Sequence, residues 1–267
     1  RCSWFSVVPT IISYLMHQTS EGQRERIQLA PKKVRFGRSA SAPLPPSLHA
    51  GFEEMFGVPI VETMGLTETS AQILSNPLPP QTNKYGSPGI AYGTQVKVVS
   101  RSGQEVERGI EGELLVKGTC VMRCYYKNPK ATQEAIDDQG WLHTGDLAIM
   151  DEDDFCFITG RIKELIIKGG ENIAPREIDD VLYTPPAIME AAAFGIEDRH
   201  YGQEVAACVV LATGKETTEL ELIAFCESKL GRVKTPKHIN FLHDLPKGPS
   251  GKVQRLKLAA QMENTVN

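Results

Sequence analysis

The chain has 267 residues, 41% hydrophobic and 23% charged, with a formal net charge of −4. Weak acidity excludes a general nucleic-acid binder, which needs a basic face to displace counterions. No apolar run approaches the roughly 18 residues of a membrane span, and the length predicts about one or two domains able to bury a sizeable core.

Arg1-Cys2-Ser3-Trp4 lacks an initiator Met and Ser6-Val7-Val8-Pro9-Thr10 reads like the middle of a protein, which predicts a piece of a longer chain. Residues 1–93 carry an α/β pattern. Val34 to Phe36 is a short strand leading into the small-residue turn Arg38 to Pro43. Ser47 is placed to cap a helix bearing Leu48, Phe52, Met55 and Phe56, ended by Gly57. Val58 to Val61 is a buried strand running into the polar turn Met64-Gly65-Leu66-Thr67-Glu68-Thr69; in open α/β sheets ligands gather at such strand ends. Asn76 to Gly93, rich in Pro and Gly, reads as loop.

Residues 94–160 switch to a β pattern, with strands at Thr94–Ser100, Glu113–Lys117 and Asp154–Thr159. Residues 161–267 mix helices and strands without strict alternation, as in a small α+β domain. Pro175 starts a short helix with Ile178, Val181 and Leu182. Ala191–Ile196, Val205–Leu211 and Ile239–Leu242 read as strands. Thr218 and Glu221 form a capping box for a helix bearing Leu222, Phe225, Cys226 and Leu230, closed by Gly231. The six cysteines, Cys2, Cys120, Cys124, Cys156, Cys208 and Cys226, are scattered without a CxxC. Zinc ligation is therefore not expected, and a reduced cytosolic chain with buried thiols is.

Several short motifs bear chemistry. Asp151-Glu152-Asp153-Asp154 starts like a calcium loop, but the sixth and twelfth positions are Cys156 and Ile162 instead of Gly and Glu, so a solvated turn is expected. Gly248 to Lys252 looks like a P-loop but lacks its first Gly, at Pro246, and its hydroxyl, at Val253. It is still a Gly/Pro/Ser loop carrying a Lys, suited to bringing a point charge to phosphate. In Gly140 to Asp146 the terminal Asp can accept two hydrogen bonds from a ribose diol or form an Asx-turn. Gly160 to Asn172 alternates charged and apolar residues and breaks at Gly169-Gly170, either for close backbone approach to a ligand or for a hairpin turn. Thr67 can touch phosphate and Glu68 can hold Mg²⁺ through hard oxygens; alternatively they open a helix. None of the six histidines has ligand spacing, and no metal chemistry is assigned to them.

Taken in order, Ser41-Ala42-Pro43-Leu44, Glu62 to Ser70, Gly140 to Asp146, Gly160 to Pro175 and Leu245 to Leu256 resemble the adenylate-forming acyl-CoA synthetases, the family that includes firefly luciferase and peptide-synthetase adenylation domains. The resemblance is collinear over nearly the whole chain. It implies an α/β and β large-domain portion over 1–161 (α/β subdomain 1–93, β-barrel-like subdomain 94–161) and a small mobile α+β domain over 162–267. It implies ATP, Mg²⁺ and coenzyme A as cofactors and a small carboxylic acid as substrate. The carboxylate attacks the α-phosphate to give an acyl-adenylate, and the CoA thiol then displaces AMP.

By the same resemblance Ala42, Pro43 and the segment Glu62, Thr63, Met64 and Gly65 line the adenine site. Thr67 touches the α-phosphate, Glu68 holds Mg²⁺, Asp146 and Arg161 hold the ribose, and Lys163 is the hinge. Lys252 is the catalytic lysine of the first step, and Gly169, Gly170 and Glu171 meet CoA.

Two departures from the family pattern stand out. The Ser/Thr/Gly-rich phosphate loop has no counterpart in residues 1–93, so the chain resembles the C-terminal half of a synthetase and is expected not to adenylate efficiently alone. A charged position common in plant coumarate ligases is Ile167 here. Leu74 to Pro79 and Gly169 to Glu171 resemble the oxalate-CoA ligase branch, whereas Ala71, where oxalate users carry a His in the acid pocket, points to a less polar acid. Two alternatives are a carrier-protein-loading adenylation domain and a non-catalytic nucleotide- or CoA-binding remnant.

Overall fold

A computed structural model of the chain describes residues 2–29, 33–70, 72–249 and 251–266. Its helices are α1 (Pro9–Gln18), α2 (Glu21–Leu29), α3 (Pro46–Phe56), α4 (Pro129–Ala135), α5 (Pro175–Leu182), α6 (Glu219–Lys234) and α7 (Arg255–Val266). No helix among the described residues is long and apolar enough to cross a membrane. The chain forms two compact units. The first holds Arg1–Val7, Lys33–Leu44 and Pro59–Lys163, and the second Val8–Lys32, Pro45–Val58 and Glu164–Asn267.

The first unit contains two sheets. Strands β1 (Trp4–Val7), β2 (Phe36–Ser39) and β3 (Ile60–Gly65) run parallel, and β4 (Gln72–Ser75) and β5 (Ile90–Ala91) extend that sheet antiparallel. An antiparallel meander follows: β6 (Gln95–Val99), β7 (Gly112–Lys117), β8 (Leu142–Met150) and β9 (Cys156–Arg161). Ile73 and Leu74 of the first sheet pack with Val98, Leu114, Val116, Ala148 and Met150 of the second, and Met64 and Leu66 close over them. The alternation read in the sequence supplies this inward face.

Three local expectations are corrected. The first central strand is Phe36–Ser39 rather than Val34–Phe36, because its limits are set by pairing with Trp4–Val7 and with Ile60–Glu62. The stretch Asn76 to Gly93 is not all loop: Ile90 and Ala91 pair with Ser75 and Leu74. Ser47 does not cap α3; Pro45 stands at the N-cap, and the Ser47 hydroxyl donates to the Tyr183 carbonyl. Gly57 does end that helix, in the left-handed region at φ 60°. The acidic run is a solvated turn: Asp151 Oδ1 accepts from the amides of Asp153 and Phe155, and Lys84 bridges Asp151 and Asp153.

In the second unit β10 (Ile166–Lys168), β11 (Glu171–Ile173), β12 (Ile188–Asp198), β13 (Gly202–Leu211) and β14 (His238–Phe241) form a sheet ordered β11-β10-β13-β12, with β14 parallel to β13. Both its faces are covered. Ala191, Ala193, Val205, Ala207 and Val209 pack with Ile178, Leu182, Leu222 and Cys226 of α5 and α6. The alternate residues Ala192, Phe194, Ala206, Cys208 and Val210 pack with Leu245 and with Leu258 of α7. Two-sided burial explains why Val205 to Leu211 is a continuous apolar run. Thr218 caps α6 through the reciprocal box with Glu221, and Gly231, at φ 73°, breaks the helix where the sequence predicts its end.

All six cysteines are free, and Cys156, Cys208 and Cys226 are buried. Burial pushes the Cys156 thiol up to about 12 and the Cys208 and Cys226 thiols up to about 11. Thiolate is the reactive form. Iodoacetamide should therefore label the exposed Cys2 and Cys124 in the native protein and reach Cys156, Cys208 and Cys226 only after unfolding. Native labelling of Cys156 at the rate of Cys124, read by peptide mass spectrometry, would contradict this packing.

Candidate functional site

In the first unit the predicted residues lie on and just after β3, in the middle of β8 and at the end of β9. Glu62 on β3 is 3% exposed, and its Oε1 accepts from the Leu44 amide at 3.0 Å, which ties the Ala42-Pro43 loop to the strand. Its carbonyl accepts from the Asn76 amide at 3.0 Å. Thr63 is also buried, with its hydroxyl donating to the Ser39 carbonyl, and Met64 packs on the core. The polar groups of Glu62 and Thr63 thus serve the fold, and Gly65 is the exposed member of the segment.

Beyond Gly65 the chain makes a 3-10 turn over Thr67–Thr69. The turn is closed by the buried Thr69, whose hydroxyl accepts from the Leu66 amide at 3.1 Å and donates to the Leu66 carbonyl. Thr67 is exposed and Glu68 half-buried. Tyr125 donates its phenol to Glu68 Oε1 at 2.8 Å, and the Met122 amide donates to the Glu68 carbonyl at 2.7 Å. The hydrogen bond to Glu68 and burial both push the Tyr125 phenol up, keeping it a donor. Sequence reasoning missed Tyr125, since nothing local marks a partner 57 residues away.

Asp146 and Arg161 are direct partners across β8 and β9. The Arg161 Nε donates to Asp146 Oδ1 at 2.6 Å; the carboxylate is buried and the arginine exposed. Irregular pairing on both sides of β8 presents this aspartate. Gly145 takes φ 70°, its amide donates to Glu113 Oε1 at 3.1 Å, and Glu113 Oε2 holds His143 Nδ1 at 2.9 Å. A guanidinium on a carboxylate makes a charge-assisted hydrogen bond that fixes the geometry of both groups. Lys163 lies in the 3-10 turn Ile162–Glu164, and the division between the units falls just after it.

The remaining predicted residues belong to the second unit. Gly169 and Gly170 form the two-residue turn between β10 and β11, at φ 58° and 91°. Two positive φ values are what a type I′ hairpin demands, so the turn accounts for both glycines. The Gly169 amide donates to the Tyr201 carbonyl, and Glu171 is exposed opposite Lys168.

Lys252 sits in a loop closed by a bridge between Lys247 and Val253, with Gly251 at φ 79°. Its carbonyl accepts from the Gly248 amide, and its side chain is exposed without an ion pair among the described residues. The loop's other lysine, Lys247, is committed to Glu190 and Asp244. Ala71, the expected acid-pocket position, lies outside the described residues. Among the described residues no group of three His, Cys, Asp or Glu side chains could hold a metal ion.

The model of the AMP-binding enzyme matches residues 1–126, and that of the AMP-binding enzyme C-terminal domain matches residues 177–252. A sulfoacetate–CoA ligase of Cupriavidus necator is 51% identical over 257 residues, covering 96% of this chain and 49% of that protein. An oxalate–CoA ligase of Arabidopsis thaliana is 37% identical over 262 residues, covering 98% and 50%. Among solved structures, ATP-bound MatB from Rhodopseudomonas palustris superposes with a TM-score of 0.89 at 30% identity, covering 100% of this chain and 52% of that one. The anthranilate CoA ligase AuaEII in complex with anthranoyl-AMP gives a TM-score of 0.88 at 27% identity, covering 99% and 50%. The chain spans about half the length of the curated relatives it matches. With both family models matched in order and the fold shared along its length, this chain belongs to the adenylate-forming AMP-binding enzyme family.

Proposed function

We propose that this chain carries the nucleotide-holding and adenylating residues of an ATP-dependent, AMP-forming acid–CoA ligase. The observation that carries the reading is the buried Asp146 carboxylate braced by Arg161 across two strands. Such a carboxylate suits a ribose diol, which offers two donors. Thr67, exposed at a strand end, is suited to hydrogen-bond the α-phosphate, and the exposed backbone around Gly65 with the Ala42-Pro43 loop flanks the base. Glu68, already oriented by Tyr125, supplies one hard oxygen ligand. One carboxylate plus substrate phosphates suits Mg²⁺, which keeps several of its waters; a bound Mg²⁺ would offset phosphate charge.

In the first step the acid's carboxylate oxygen bonds to the α-phosphorus and pyrophosphate leaves with the electrons of the broken bond. Lys252 meets the negative charge that builds on the phosphate oxygens. In the second step the thiol sulfur bonds to the acyl carbon, its proton is lost to solvent, and AMP leaves with the electrons of the broken acyl–oxygen bond. The adenylate is already activated, so no protein nucleophile is needed. Lys163, beside the division between the units, is the hinge that exchanges Lys252 for the Gly169-Gly170-Glu171 hairpin on the CoA side.

The relative that is 51% identical is named for a sulfonated acid. That weighs against the less polar substrate suggested by Ala71 and puts a small acid with a second anionic group first. The product of the whole open reading frame encoding this chain should release AMP in a CoA- and ATP-dependent manner with sulfoacetate, oxalate, a medium-chain acid or an aryl acid. AMP release that needs a carrier domain instead of CoA, or none with any acid, would overturn the ligase assignment.

A further inference from the structure

The loop carrying Lys252 is tied at both ends, through the partly exposed Lys247 and Arg255, to the buried carboxylates Glu190 and Asp179 of the second unit. On its N-terminal side Lys247 donates to Glu190 Oε2 at 2.8 Å and to Asp244 Oδ1 at 2.6 Å. Glu190 lies on β12 and is 2% exposed. On its C-terminal side Arg255, at the start of α7, donates to the Ala193 carbonyl at 2.7 Å and pairs with Asp179 of α5. Asp179 Oδ1 also accepts from the Ala193 amide at 2.6 Å. Arg255 Nε reaches Glu164 Oε2 at 3.4 Å, and Glu164 is the residue after Lys163.

Buried ion pairs are poor stabilisers. Desolvation cancels much of their attraction, and apolar residues of similar volume often serve a core better. Two such pairs converge on the two ends of one short loop, and the positions they grip, Glu190 and Ala193, lie on one strand, β12. Between the ends the chain has Gly248, Pro249 and Gly251, which give it little packing of its own. A glycine-rich loop without anchors loses about 1–2 kcal/mol of backbone entropy per residue on being ordered, and a charge that must reorganise at the moment of reaction contributes little to catalysis.

We propose that Glu190 and Asp179 are positioning residues which, through Lys247 and Arg255, fix where the Lys252 ammonium is presented; this rests on Lys252 acting in acid activation. Neither carboxylate needs to touch substrate. Their work is to hold the neck of the loop against β12 and α5, so that Lys252, which has no ion pair among the described residues, is left free to be directed.

Removing one partner of a buried pair leaves the other charge uncompensated and threatens folding. The primary test is therefore a charge-free replacement of a whole pair, Lys247→Met with Glu190→Gln, beside the single variant Asp179→Asn. Three rates are read in the whole-reading-frame protein: pyrophosphate exchange, thioester formation from preformed acyl-adenylate, and tryptic cleavage after Lys252. Displacing a reacting group by about 1 Å can cost about a hundred-fold. We expect exchange to fall about ten- to hundred-fold in each variant, thioester formation to stay within about two-fold, and cleavage after Lys252 to speed up by about ten-fold.

Unchanged exchange and unchanged cleavage would overturn the proposal. So would a parallel fall in both half-reactions with loss of the native circular dichroism signal, since that is what a merely structural role produces. If the wild-type protein itself lacked exchange, the acid-activation reading would fall with it, while the cleavage rates would still decide whether the two pairs hold the loop.

Discussion

The Lys252→Ala variant is expected to lose about 10²–10³ in acyl-adenylate formation, the usual cost of removing one preorganised charge from a developing oxyanion. Adenylation places a carboxylate against a phosphate that is already anionic, and the new charge accumulates on the α-phosphate oxygens. An exposed ammonium on a loop anchored at Lys247 and Arg255 has no ion pair to break among the described residues before it engages them. Arginine should rescue poorly, because a planar fork replaces a compact point charge. Thioester formation from supplied acyl-adenylate should survive, since thiol attack at the acyl carbon builds no charge on phosphorus beyond that leaving with AMP. Pyrophosphate exchange and thioester formation, measured separately, check the split. Exchange within about three-fold of wild type would remove Lys252 from the mechanism.

What could be read from the sequence follows the range of the forces involved. The capping box at Thr218 and Glu221, the left-handed stop at Gly57 and the helix break at Gly231 are local: each needs only residues within one turn, and each stands where expected. The Gly169-Gly170 pair was open between a ligand approach and a hairpin, and positive φ at both positions accounts for it as a turn. Strand limits were less legible. β5 is two residues long and exists only because β4 lies beside it, and β8 is nine residues long although Thr144-Gly145 interrupts its pattern. At the candidate site the family resemblance put Asp146 and Arg161 together on the ribose but did not show them bonded to each other. Their pairing depends on the β8–β9 register, bulge included, which no spacing in the chain encodes. Tyr125 beside Glu68, and Glu190 and Asp179 behind the Lys252 loop, are long-range partners of the same kind.

Gly89→Ala is expected to destabilise the protein by about 4 kcal/mol or more, a size reserved for a short list of packing failures. Gly89 has φ 100°, and a Cβ there would lie 1.9 Å from the Ser75 carbonyl carbon and 2.1 Å from the Asn76 nitrogen. These are backbone atoms of β4 and its exit, so no side-chain rotation can relieve the overlap. The strand and loop must separate, and that breaks a knot. The Gly89 carbonyl accepts from Cys156 of β9, and Ser87 donates to the Cys156 carbonyl at 2.6 Å. The buried Asn76 donates to the Ser87 carbonyl at 2.6 Å and, through its amide, to the carbonyl of Glu62. Gly103→Ala is the control. It shares a positive φ of 79° but would meet nothing within 4 Å, so only the left-handed strain of about 1–2 kcal/mol applies. Urea unfolding followed by circular dichroism separates the two, and equal midpoints would mean that β4 and the Gly89 segment are not in close contact. The path from Gly89 to Glu62 also carries a consequence for the site. Glu62 holds the Leu44 amide, so opening the knot should loosen the Ala42-Pro43 loop and weaken nucleotide binding in whatever fraction of the variant still folds.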